Sequence, residues 1–84
     1  MRFTYDPRYN IAYIRLREKA SGVEALKISD ELVVDIAPDG KIYGIEFLNA
    51  SEQISREDAG RLLVINEATG DRTEMPLALG EADR

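Results

Sequence analysis

The chain of 84 residues contains no cysteine and no histidine. Without cysteine there is no disulfide framework and no thiolate nucleophile. Without histidine the commonest zinc ligand is missing, and so is the side chain best matched to proton transfer near neutral pH. Most hydrolase mechanisms lose their central part, which favours a non-enzymatic role over an enzymatic one. Carboxylates remain as metal ligands, but the acidic residues lack the loop spacing of calcium sites, so no metal and no cofactor is expected. No stretch approaches the ~20 apolar residues of a membrane span, and Met1 to Pro7 lack the apolar run of a signal peptide. A cytoplasmic protein with no membrane segment is the expectation. Glycine-rich phosphate loops, nucleophile elbows and dinucleotide fingerprints are also missing.

What is present is a small acidic chain with an uneven charge. The net charge is -5, yet residues 1 to 19 carry five basic and two acidic side chains, for +3, and the remainder carries six basic and fourteen acidic, for -8. A separation of this kind orients a molecule towards a charged partner without bearing on the fold. The length suits one domain with a modest core. We expect that domain over residues 1 to 77, with 78 to 84 as a frayed tail.

Turn chemistry and alternation predict a mainly β protein, α+β at the margin: an antiparallel sheet of consecutive hairpins with about five to seven strands. Residues 2 to 5 and 11 to 17 flank Asp6-Pro7-Arg8-Tyr9-Asn10, where Asp before Pro initiates a turn and Asn10 tolerates the left-handed region. Pairing Tyr5 with Ile11 would put Phe3, Tyr5, Ile11, Tyr13, Arg15 and Arg17 on one face. Val23 to Ile28 reads as a third strand. Leu32 to Ala37 and Lys41 to Leu48 form the clearest hairpin, joined by Pro38-Asp39-Gly40 with Gly40 at positive φ. Extending the register from that turn sets Asp35 opposite Tyr43, Val34 opposite Gly44, Val33 opposite Ile45 and Leu32 opposite Glu46. Both faces then carry apolar groups and both need cover, from the C-terminal third or from a second copy. A short helix is expected near residues 50 to 61, with a capping arrangement at Ser55-Arg56-Glu57-Asp58. A last hairpin joins Leu62-Ile65 to Thr73-Leu77 through Gly70, with Pro76 on an edge strand.

Four residues are candidates for function. Asp35 and Glu46 are carboxylates within the most apolar stretch, where partial burial could raise a pKa, and Tyr13 and Arg15 lie on a strand beside them. On the predicted register Asp35 and Glu46 fall on opposite faces, so they cannot act together within one chain. The set Phe3, Tyr5, Tyr13 and Arg15 has the aromatic and basic character of sheets that stack single-stranded bases, although the acidic pI weighs against nucleic acid. Gly44 is read as leaving space for Val34 or another packed neighbour.

With these segments placed, residues 3 to 54 resemble the domain of unknown function family numbered 2283. The resemblance is carried by Thr4-Tyr5-Asp6-Pro7, Ala12-Tyr13-Ile14-Arg15-Leu16, Val33-Val34-Asp35, Asp39-Gly40-Lys41 and Gly44 through Ser51. It implies acidic residues where this chain has Asn10 and Asn49, which weakens any metal role for those sites here. It also implies that Asp35 and Glu46 occupy the acidic positions of the hairpin, and that an antitoxin-like role merits consideration. The function expected is a protein-interaction module, possible partners being a second copy, in a homo-oligomer with a dimer favoured, and a basic protein. The alternative is a carboxylate-dependent small-ligand site or enzyme using Asp35 or Glu46, with Tyr13 or Arg15 nearby.

Overall fold

The computed structural model describes residues 1–18, 21–54 and 61–77. Seven strands and one short helix follow in the order β1 (Arg2–Asp6), β2 (Ile11–Arg15), β3 (Glu24–Ser29), β4 (Leu32–Ile36), β5 (Ile42–Leu48), α1 (Ala50–Gln53), β6 (Arg61–Ile65) and β7 (Arg72–Pro76). They form a five-stranded antiparallel sheet in the order β1-β2-β5-β4-β3 and a separate two-stranded sheet, β6-β7. The mainly β class built from hairpins is as the turn chemistry predicts. The helix is a single turn at the start of the expected span, and the Ser55-to-Asp58 capping arrangement lies outside the described residues, as does the expected tail.

Two registers differ from those expected, each by one residue. In the first hairpin Asp6 pairs with Ile11, Tyr5 with Ala12, Thr4 with Tyr13 and Phe3 with Ile14. Asp6 extends the strand because its carboxylate accepts the Arg8 backbone N–H at 3.0 Å and the Arg8 guanidinium at 3.1 Å, which closes a turn over residues 7 to 10. Asn10, at φ 57, then redirects the chain into β2. Phe3 and Tyr5 therefore lie on the opposite face from Tyr13 and Arg15, and the four side chains expected to form one stacking platform are split between the two sides.

In the central hairpin the turn is as expected. Gly40 N–H donates to the Ala37 carbonyl and Ala37 N–H to the Lys41 carbonyl, both at 2.8 Å, and Ile36 faces Ile42. One residue further, Asp35 faces Gly44 and not Tyr43. Tyr43 and Gly44 together oppose Asp35, a bulge that adds one residue to β5 and moves every later pair. Val34 thus faces Ile45, Val33 faces Glu46 and Leu32 faces Phe47.

The bulge sorts the sheet. One face gathers Phe3, Ala12, Ile14, Ile45, Phe47 and Val34, all apolar; the other holds Tyr13, Arg15, Glu46 and Asp35. On the apolar side Ala12 and Ala50 are fully buried, with Phe3, Tyr5, Phe47, Ile54 and Leu77 packed around them. The small helix is thereby fixed to one end of the sheet.

Gly40 sits at φ +87 with open space where a Cβ would project, so substitution there meets conformational strain alone. Gly40→Val should lower the unfolding free energy in urea by roughly 1–3 kcal/mol, and Gly40→Asn should cost less because asparagine tolerates the left-handed region. Equal midpoints for Gly40→Val and the wild type would remove the turn assignment.

Candidate functional site: the Tyr13–Asp35–Glu46 face

The polar face is organised by Tyr13. The β2–β5 register sets Tyr13 directly opposite Glu46 and Arg15 opposite Gly44, while Asp35 flanks Gly44 on its other side. Glycine leaves an opening in that row, and the Tyr13 ring leans across it to donate a hydrogen bond from Oη to Asp35 Oδ2 at 2.7 Å. The fit is close. A Cβ built on Gly44 would collide with Tyr13 Oη, lie 2.5 Å from Tyr13 Cζ and lie 2.9 Å from the Ile14 carbonyl oxygen. The packed neighbour for which Gly44 leaves space is Tyr13, not Val34.

Asp35 and Glu46 therefore share a face, contrary to the placement expected from the unbulged register. Being diagonal neighbours on paired strands, they stand roughly 7–8 Å apart, near enough to flank one small polar group. Both are partly buried. Arg15 lies beyond Gly44, where it forms an ion pair with the exposed Glu18 at 3.5 Å and faces Arg2 across the β1–β2 ladder. All four sequence candidates thus lie on one side of the sheet.

Electrostatics indicate what this group can do. Tyr13 has its pKa raised, first by burial, then by the hydrogen bond to Asp35 and the negative charge there, with smaller contributions from Tyr43 and Glu46. Each favours the neutral phenol over the phenolate. A general acid or base works best with a pKa near the operating pH, and Tyr13 is displaced away from it. The phenol is accordingly a fixed hydrogen-bond donor that orients Asp35, not a proton shuttle.

A second polar cluster lies at the other end of β2, and sequence reasoning missed it. Asn10 Oδ1 accepts from Tyr5 Oη at 2.8 Å and from the Ser51 backbone N–H at 2.9 Å, while Asn10 Nδ2 donates to Ser51 Oγ at 3.0 Å and Asn49 Oδ1 at 3.2 Å. Asn49 Nδ2 in turn donates to Glu31 Oε2 at 3.1 Å. Asn10 and Asn49 both occupy the left-handed region, at φ 57 and 53. The turn signal at Asn10 was legible, but its tie to Ser51 spans 41 residues and no local pattern announces it. Because these amides already satisfy one another, the cluster anchors α1 to the first hairpin. Among the described residues no group of acidic side chains is arranged to hold a metal.

The family model for a protein of unknown function (DUF2283) matches residues 2–51. The chain belongs to the DUF2283 family. No curated protein and no solved structure matches it. The DUF2283 segment includes the whole five-stranded sheet, with the Tyr13–Asp35 bond and both asparagines, and ends inside α1. The β6–β7 hairpin lies entirely outside it.

Two measurements test this arrangement. A double-mutant cycle between Tyr13→Phe and Asp35→Asn should return a coupling of about 1 kcal/mol, as for a hydrogen bond to a charged group that keeps some solvent contact; zero coupling would mean the bond is not made. The folded-state pKa of Tyr13 lies above its unfolded value, so its contribution is fully present below the ordinary phenol pKa near ~10 and is lost as pH rises towards the folded value. Stability should therefore fall more steeply in that alkaline range for the wild type than for Tyr13→Phe. Gly44→Ala, which displaces the ring, should bring the titration of Tyr13 down towards the ordinary phenol range in a tyrosinate absorbance titration.

Proposed function

We propose that this protein is a small, cytoplasmic protein-interaction module that associates with itself and binds a protein partner in a regulatory or antitoxin-like way. The observation that carries this reading is the amount of apolar surface left without cover. Among the described residues the buried apolar side chains are three alanines, Ala12, Ala37 and Ala50. The larger apolar groups of the sheet are only partly buried, and every residue of β6 and β7 is exposed. Monomeric proteins rarely leave contiguous apolar patches larger than a few hundred Å². Association would supply the missing half of a core that a chain of this length cannot complete alone.

Charge supports a basic partner. Arg8 pairs with Asp6 at 3.1 Å within the basic N-terminal segment, and Arg17 pairs with Asp39 at 2.9 Å, which takes one charge from that segment and one from the acidic remainder. The acidic excess after residue 19 is then left to set the field that a cationic protein would meet. No nucleic-acid role is proposed, because Phe3 and Tyr5 do not share a face with Tyr13 and Arg15.

A second reading is favoured by one observation, the shared face of Asp35 and Glu46 around Tyr13: a carboxylate-dependent site for a small cationic ligand. Glu46→Gln would abolish such binding and leave self-association untouched.

Sedimentation at micromolar concentration should give a dimer, and affinity capture from the native cell at low salt should retain a basic protein that is released as salt screens the field. A monomer throughout, together with no captured protein, would contradict the proposal. Asp35→Asn keeps the shape of the side chain and removes its charge. If that charge acts only within the Tyr13 contact, the variant should fold and retain the partner.

A further inference from the structure

The β6–β7 hairpin forms a sheet of its own, and among the described residues no ladder joins it to β1–β5. Two-stranded hairpins are marginal in water unless they pack against something. The register Leu62↔Met75 and Val64↔Thr73 puts Leu62, Val64 and Met75 on one face of the hairpin. At its base Leu62 and Met75 lie with Leu77 over Phe3, Ile14 and Phe47 of the sheet, and Leu77 reaches the Ala12–Ala50 cluster. The chain therefore supplies its own cover for part of the apolar face.

That cover is loose. A cleft of about 500 Å³ stays open between hairpin and sheet, whereas a close-packed interior holds few voids larger than a water molecule. Leu62 and Met75 each remain 43% exposed, and Val64, further towards the tip, takes no part in the cleft. The five-stranded sheet, by contrast, is tied within itself by its ladders, by the Tyr13–Asp35 bond and by the Asn10–Ser51 contacts. None of these ties involves the hairpin, and the segment that matches the DUF2283 family ends before the hairpin begins.

We infer that the β6–β7 hairpin is an autoinhibitory strap: closed, it rests on Phe3, Ile14 and Phe47; open, it leaves that patch free while the sheet stays folded. Opening breaks a contact between half-exposed side chains, whereas opening the sheet breaks its ladders, so the hairpin belongs to the low-stability end of the molecule. Once released it has nothing else to pack against, and it melts as it opens. The regulatory consequence rests on the protein-interaction reading above. Whatever docks on this face must displace the strap, and its apparent affinity falls with the fraction of molecules that are closed.

Native-state hydrogen exchange on the dilute full chain separates the two units. Backbone amides of β6–β7 should exchange about a hundredfold faster than those of β2 and β5, inner strands of the sheet. Leu62→Ser and Met75→Ser together should speed the hairpin about tenfold more, leave β2 and β5 within about threefold of wild type, and raise the fluorescence of anilinonaphthalene sulfonate. The same double variant should associate more tightly than wild type in sedimentation. Val64→Ser, on the same hairpin face but outside the cleft, should change none of these. Hairpin amides as slow as those of β2 and β5, or a double variant in which the sheet loosens with the hairpin, overturns the strap. A hairpin that opens separately, in a variant that associates no more tightly than a dimeric wild type, overturns the autoinhibition and leaves self-association standing. Wild type and variant that both stay monomeric and capture no protein overturn the interaction reading, and the autoinhibition with it.

Discussion

Two residues of β5, Tyr43 and Gly44, stand against one residue of β4, Asp35, and this bulge decides what each face of the sheet carries. Without it, alternation from the Pro38-Asp39-Gly40 turn would scatter apolar and charged groups over both sides. With it, Ile45 and Phe47 join Val34, Ile14 and Phe3, and Glu46 joins Asp35 and Tyr13. A one-residue slip exchanges the faces of a strand, so the extra residue separates an apolar face from a polar one. The bulge also places Gly44 where only an absent side chain lets the Tyr13 ring pass to Asp35.

The energetic consequence is a sheet tied together on its polar side and unfinished on its apolar side. The Tyr13–Asp35 bond spans from β2 over β5 to β4, and the asparagine cluster secures α1 to the first hairpin. Neither adds much apolar burial. Hydrophobic area is the dominant favourable term in folding, and here much of it stays in water until something covers it. If the chain associates with itself as proposed, its stability will depend on protomer concentration.

Much of the fold was legible because its turns have strong local chemistry. Asp6-Pro7, Pro38-Asp39-Gly40 and Gly70 announce three hairpins, and positive φ at Asn10, Gly40 and Gly70 follows from those residue types. The registers were less legible. Asp6 before Pro7 has the signature of a turn residue, although its carboxylate satisfies the turn from within the strand. Gly44 inside a strand is a recognised sign of a bulge; reading it as mere space carried the regular register through and put Asp35 and Glu46 on opposite faces. The candidates Tyr13, Arg15, Asp35 and Glu46 could be named from the sequence, but not their convergence, since that depends on strand order and on one extra residue. The link from Asn10 to Ser51 is a long-range contact between polar residues, and no periodicity marks it.

The most direct test of the bulge is the set of interstrand nuclear Overhauser contacts between β4 and β5 in solution. The account predicts contacts that pair Ile36 with Ile42, Asp35 with Gly44, Val34 with Ile45 and Val33 with Glu46, with the Tyr13 ring protons close to the Gly44 α-protons. Contacts pairing Asp35 with Tyr43 and Val33 with Ile45 would restore the regular register, return Asp35 and Glu46 to opposite faces, and contradict the account.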